Sequence, residues 1–117
     1  LAELGADRPV RIRFGTDRWF RVHRRFVELY DGFQERPEAN FGREHFSSFI
    51  EGFCSLLDGQ LSEVVLAHQS GHFELRASMV ADDTVEIRIL AGQSHELIHL
   101  GISEAKQIAD EYRSAAT

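Results

Sequence analysis

Residues 10–14, Val10-Arg11-Ile12-Arg13-Phe14, alternate strictly between apolar and charged positions, which is the period of a half-buried strand. Gly15-Thr16-Asp17 then supplies a turn. Residues 19–33 carry two periods at once. Phe20, Val22 and Phe26 alternate with Arg21, His23 and Arg25 as in a strand, whereas Trp19, Val22, Phe26, Tyr30 and Phe33 also fit a helical stripe. A hairpin with the first strand favours the extended reading. Residues 34–40, with Pro37, are predicted as a polar loop.

The period then becomes helical. Phe46, Phe49, Ile50, Phe53 and Leu57 recur at spacings of three and four, and Gly59 sits where a left-handed C-terminal cap is wanted. Burying side chains of this size is worth about 1.5–3 kcal/mol each, so the stripe reads as core. Cys54 lies beside it and reads as a small core filler.

From Leu61 the period is two. A turn at Ser70-Gly71 pairs Leu66 with Leu75 and Val64 with Ala77, keeping every apolar set on one face. A three-residue loop at 81–83 pairs Val80 with Thr84, Met79 with Val85 and Leu75 with Ile89. A two-residue Asp-Asp turn would instead set Met79 opposite Glu86. On the other face Arg76 falls opposite Arg88, with Glu74 and Glu86 as neighbours. A loop at 92–95 returns a fourth strand, pairing Ile89 with Ile98 and Ile87 with Leu100. Residues 104–113 are predicted as a closing helix with Ser103 as N-cap and Glu104 in its first turn. The expected fold is α+β: an N-terminal hairpin plus a four-stranded antiparallel meander, with two helices on one face. No internal repeat is visible in the sequence.

The chain has 117 residues, 43% hydrophobic and 27% charged, so residues 1–117 are expected to form a single domain. The single cysteine excludes a disulfide framework and any multi-cysteine zinc site. No apolar run approaches the ~18 residues of a membrane span, and no signal peptide is visible. A soluble cytoplasmic domain is the expectation. The chain starts at Leu1 without an initiator Met, which leaves room for a longer natural form.

The formal net charge is −6. Residues 1–43 hold nine arginines against seven acids, for +2, and residues 44–117 hold four bases against twelve acids, for −8. This balance argues against nucleic acid as a partner, which wants a basic footprint. An acidic second part can instead steer a basic protein partner by long-range attraction. Glu63, Glu74, Asp82, Asp83 and Glu86 are the candidate partner-binding residues.

One motif carries chemistry. His95-Glu96-Leu97-Ile98-His99 is a literal HExxH. On a helix, His95 and His99 would share a face and bind one zinc, and Glu96 would act as general base on zinc-bound water. The meander, however, places Ile98 and Leu100 in a strand, where His95 and His99 stand about 13 Å apart. Gly101 and Ser103 place the helix start after the motif, and no third zinc ligand follows at suitable spacing. A minimal zinc hydrolase using Glu96, His95 and His99 is therefore the alternative. The main expectation is no catalytic site, no metal and no cofactor.

Arg18, Arg21, Arg24 and Arg25, with His23, form a local basic cluster that could hold a phosphate or an acidic loop, or could be a solvated face. His68 and His72 flank Ser70-Gly71 without a carboxylate at ligand spacing. Cys54 beside a core stripe is a poor nucleophile. There is no GxGxxG, Walker or GxSxG sequence.

Across residues 46–113 the helix FSSFIEGFCSLL, the strand pair LSEVVLAHQSGHFELRASM and the strand-to-helix segment LIHLGISEAKQIADEYR follow one another. In this order of elements the chain resembles the small bacterial immunity proteins of the WapI type and related domains of unknown function. The resemblance implies a non-enzymatic protein that binds and blocks a cognate toxin. It brings no fixed contact motif, so no residue roles follow from it. Many toxins that act on nucleic acid are basic, which an acidic inhibitor would complement. The sequence thus leads to a non-catalytic acidic protein-binding domain, in particular an immunity protein against a basic toxin domain.

Overall fold

Each half of the chain spends its apolar alternation on four short strands and then turns directly into a helix. The computed structural model describes residues 10–32 and 35–116. The first half is β1 (Val10–Phe14), β2 (Arg18–Val22), β3 (Phe26–Asp31), β4 (Ala39–Gly42) and α1 (Arg43–Leu57). The second is β5 (Glu63–Ala67), β6 (Phe73–Ala81), β7 (Thr84–Ala91), β8 (Ser94–Gly101) and α2 (Ile102–Ala116). The strands form two antiparallel meanders, β1-β2-β3-β4 and β5-β6-β7-β8. The fold is α+β, as expected, but it has two four-stranded sheets where a hairpin and one meander were predicted.

The two halves match at the strand–helix junction. Gly42 leads into α1 and Gly101 into α2 with no loop between. Counted from that glycine, Phe41, Phe46, Phe49, Ile50 and Phe53 stand where Leu100, Ala105, Ile108, Ala109 and Tyr112 stand in the second half. All ten are buried. The repeat lies in element order and burial, not in residue identity, which is why the sequence hides it. α1 and α2 pack on each other, and where α1 carries the large Phe46 and Ile50, α2 carries the small Ala105 and Ala109.

Each helix touches both sheets. α1 packs on β3 and β4 of its own half and on β5 and β6 of the other, and α2 packs on β7 and β8 and on β1. One hydrophobic cluster joins residues of all these elements. A polar clasp adds to it at Tyr112. Its hydroxyl accepts from Arg43 Nε at 3.0 Å and is bonded to Ser47 Oγ at 2.6 Å. Arg43 Nη1 also donates to the His23 carbonyl at 2.7 Å, tying α1 to the β2–β3 turn.

Residues 18–22 and 26–31 are strands joined by a turn at 23–25, and the inward face takes Phe20, Val22, Val27 and Leu29. Phe33 and Gln34 lie outside the described residues. The expected polar loop at 34–40 ends early, because Ala39 and Asn40 pair in β4. α1 ends as predicted, with Gly59 at φ +80, the left-handed conformation that suits glycine.

In the second sheet Leu66↔Leu75, Val64↔Ala77, Met79↔Val85 and Leu75↔Ile89 pair as expected. The β6–β7 turn is nevertheless the two-residue Asp82-Asp83, with Ala81 opposite Thr84. A register shift between Met79 and Ala81 absorbs the extra residue, so Met79 keeps its apolar partner. The β7–β8 turn is Gly92-Gln93, which sets Ile87↔Ile98 and Val85↔Leu100, two residues from the predicted register. The faces are unchanged, because a shift of two preserves strand parity. α2 begins at Ile102, so Ser103 is inside the helix and not its cap. Glu104 reaches back instead and accepts the Gly101 N–H at 3.2 Å.

Candidate functional site

His95, Glu96 and His99 lie on β8, not on a helix. Alternation sends His95, Leu97 and His99 to the outer face and Glu96, Ile98 and Leu100 toward the core. His99 Nε2 pairs with Glu86 Oε1 across the β7–β8 ladder at 3.1 Å. Glu96 Oε1 accepts from Arg18 Nη2 at 2.7 Å. The helical geometry that lets one zinc bridge the two histidines is therefore not the geometry of this segment, and the proposed base is engaged elsewhere. Among the described residues no group of three or more His, Cys, Asp and Glu is placed to hold a metal ion.

Arg18 is only 5% exposed. Its guanidinium bonds both Glu38, beside β4, and Glu96, on the other sheet. Burial pushes its pKa down, but its hydrogen bonds to Glu96 and Glu38 and their charges more than offset this, and the net shift is upward. The pair of carboxylates makes a buried cation tolerable. Arg18 thus leaves the predicted basic cluster altogether. His23 stacks on Phe26 and pairs with Glu28, Arg24 and Arg25 lie on the exposed β2–β3 turn, and only Arg21 of the cluster faces outward from a strand.

On the outer face of the second sheet the ladder sets three cross-strand rows: Ala67-Glu74-Leu90-His95, Val65-Arg76-Arg88-Leu97 and Glu63-Ser78-Glu86-His99. Three of the predicted partner-binding residues, Glu63, Glu74 and Glu86, share this face. They are not bare charges. Arg76 pairs with Glu74 at 2.7 Å and with Glu63 at 3.5 Å, and Arg88 pairs with Glu86 at 3.4 Å. The hydrogen bond and charge of Glu74, with the charge of Glu63, hold Arg76 above its ordinary pKa. Asp82 and Asp83 stand at the β6–β7 turn, at the end of the sheet nearer Glu63 and Glu86. Glu74 is four residues along β6 from the Glu63–Glu86 row, about 13 Å, and farther still from the turn. Val65 and Leu97, at 39% and 47% exposure, bracket the Arg76–Arg88 row. These two were not singled out from sequence, although their odd-position phase in β5 and β8 marks them as outward.

The outer face of the first sheet is of another kind. Trp19 and Tyr30 are cross-strand partners with parallel rings, centroids 4.1 Å apart. Arg11 lies 4.0 Å over the Trp19 ring, and Arg21 lies 5.7 Å from Trp19 and 5.8 Å from Tyr30. Burial, then the charge and hydrogen bond of Glu28, push the Tyr30 pKa up against the pull of Arg21. Sequence reasoning placed Arg11 and Arg13 outward but missed this aromatic–guanidinium stack, because a ladder contact joins residues of three strands.

Two lesser candidates have structural work. His68 Nδ1 bonds Ser70 Oγ at 2.7 Å, and Ser70 Oγ accepts the His72 N–H, which shapes the β5–β6 turn. Cys54 is half-buried, and desolvation raises its thiol pKa against the nearby positive charge of Arg113. A cleft of about 440 Å³ between β1 and α2 has Phe14, Leu100 and Ile108 in its lining and Arg11, Arg13, Glu104 and Glu111 around them. No helix among the described residues is long and apolar enough to cross a membrane. Comparisons of the chain with protein-family models, with curated proteins and with solved structures find no match.

Proposed function

We propose that the protein is a non-catalytic binding domain that engages a basic protein partner through the outer face of the second sheet and the β6–β7 turn. The observation that carries this reading is the arrangement around Glu63 and Glu86. They share one row, the turn residues Asp82 and Asp83, without an ion pair among the described residues, lie at the same end, and exposed Val65 and Leu97 lie in the next row. Apolar anchors within a charged rim are the composition of a protein contact. Because Arg76 and Arg88 neutralise part of the face, the hairpin end supplies most of its attraction. An immunity-type inhibitor that covers a basic toxin surface is the particular form to which the acidic second half and the order of elements point.

A synthetic oligolysine peptide, titrated against the labelled protein and followed by amide chemical shifts, tests the reading. Saturable shifts should centre on the β6–β7 turn and the outward residues of β5 and β7. They should disappear when Glu63, Glu74, Asp82, Asp83 and Glu86 are all changed to Lys. Shifts centred elsewhere, or surviving that reversal, would overturn it.

A further inference from the structure

We infer that the outer face of the first sheet is a separate binding surface, one that takes an acidic protein segment. Arg11, Arg13 and Arg21 project from this face, and none of them has a carboxylate partner among the described residues. Glu28 is the one acid on these outward strand positions; it stands opposite Arg21 in the ladder, but His23 and Tyr30 bond it. Glu104 and Glu111 of α2 share the cleft that Arg11 and Arg13 line, without an ion pair to either. The second sheet treats its outward arginines differently. There Arg76 and Arg88 each have a glutamate.

The ladder makes the contrast sharper. Arg11 and Arg21 are direct cross-strand partners. Like charges placed opposite one another destabilise a sheet. Here the Trp19 and Tyr30 rings hold the two guanidinium groups in place by cation–π attraction. The rings occupy the guanidinium faces, and Arg21 donates one hydrogen bond to the Tyr30 hydroxyl; the Arg11 edge and the rest of the Arg21 edge have no further partner among the described residues and can be satisfied by another molecule. A carboxylate matches that edge in a bidentate fork and would relieve the Arg11–Arg21 repulsion at the same time. Because the rings already restrict the side chains, less freedom is lost on binding. Tryptophan, tyrosine and arginine are also the residues that dominate protein contact energies.

A nucleic acid strand fits this face less well. β1 and β3 flank β2 on opposite sides, so Arg11 and Tyr30 cover the two faces of the Trp19 indole. No open ring is left there for a base to stack on. The inference does not rest on the basic-partner reading, since the two faces carry opposite charge and lie on different sheets.

Trp19 is the only tryptophan in the chain, so its fluorescence reports on this face alone. The probe is octaglutamate with blocked ends, with inorganic phosphate and an oligothymidylate of equal charge as separate arms. Octaglutamate should give a saturable fluorescence change and raise the thermal midpoint. Arg11→Gln and Arg21→Gln should each weaken binding about tenfold, the loss of one charge-assisted pair. Arg113→Gln on α2 should leave it unchanged. Circular dichroism confirms that each variant is folded. No saturable change up to millimolar peptide, or equal weakening by Arg113→Gln, would overturn the inference. Tighter binding of oligothymidylate, or of phosphate alone, would overturn its acidic-protein form.

Discussion

Arg18 and Glu96 join the two sheets directly, Nη2 to Oε1 at 2.7 Å, from positions 78 residues apart in the chain. The same guanidinium holds Glu38. This buried cation therefore needs both carboxylates, one from each half of the molecule. Removing one partner of a buried pair is destabilising by about 3–5 kcal/mol when the remaining charge is left dry. Glu38 is the more buried partner and Glu96 is half-exposed. Glu38→Gln should thus lower stability by about 3 kcal/mol, and Glu96→Gln by about 1 kcal/mol. Urea unfolding measures both. Equal losses, or no loss at Glu38, would show that Arg18 finds water instead.

The strand assignment of β8 makes a prediction about metal. His95 and His99 sit four residues apart on an extended segment, about 13 Å at the usual rise. One zinc ion cannot reach both. Elemental analysis of tag-free protein should give zinc far below one per chain. His95→Ala and His99→Ala should each change stability by no more than about 0.5 kcal/mol, as for exposed side chains. Near-stoichiometric zinc that is lost on His99→Ala would mean that β8 is not a strand in solution.

Gly52 brings α1 close to β5. A methyl group built on it would fall 2.6 Å from Val64 Cγ2, nearer than carbon atoms approach. Val64 is β-branched and restricted at χ1, so it cannot swing aside freely. Gly52→Ala should therefore destabilise by about 1–3 kcal/mol through overpacking, despite the better helix propensity of alanine. In a double-mutant cycle Val64→Ala should relieve most of that loss. Additive effects would show that the helix shifts instead.

The second half of the fold was largely legible because its signals are local. Alternation in Leu66, Leu75, Ala77, Ile87 and Ile89, with glycine in two of the turns, leaves few registers that keep one face apolar. What escaped was whatever parity does not fix. The β7–β8 register moved by two because both registers bury the same residues. The bulge near Val80 let an Asp-Asp turn coexist with the Met79↔Val85 pair. In the first half, β4 is four residues long, too short for a period to show. The outward arginines of β1 were legible as a face. Their stacking on Trp19, and the inward turn of Arg18, depend on neighbours that no local window contains. Glu63, Glu74 and Glu86 group by sign in the sequence, but the ion pairs that reduce their effective charge emerge only from the ladder.

Cys54 should react slowly. Burial raises its pKa more than the positive charge of Arg113 lowers it, so little thiolate is present near neutrality. Alkylation by iodoacetamide at pH 7.5 should be slower than for free cysteine, and it should rise about tenfold per pH unit up to pH 9. A rate above that of free cysteine would point to activation that the surrounding residues do not provide.

Tyr30 predicts how the protein responds to alkali. Burial and the charge of Glu28 raise its pKa in the folded state above the ordinary value near 10. Between that value and the raised one, the unfolded chain has released the tyrosine proton and the folded chain has kept it. The unfolded state then binds fewer protons, so stability must fall as pH rises through this window. Below about pH 10 the group is protonated in both states and contributes no slope. Tyr30→Phe removes the Glu28 hydrogen bond and lowers stability at every pH. It also removes the titration, so its stability should fall less steeply above pH 10 than that of the parent. Urea midpoints measured from pH 8.5 to 11.5 separate the two effects: a vertical offset reports the lost hydrogen bond, and a difference in slope reports the shifted pKa. Parallel curves would mean that Tyr30 titrates alike in the folded and unfolded chains, and that the outer face of the first sheet is wetter than its geometry indicates.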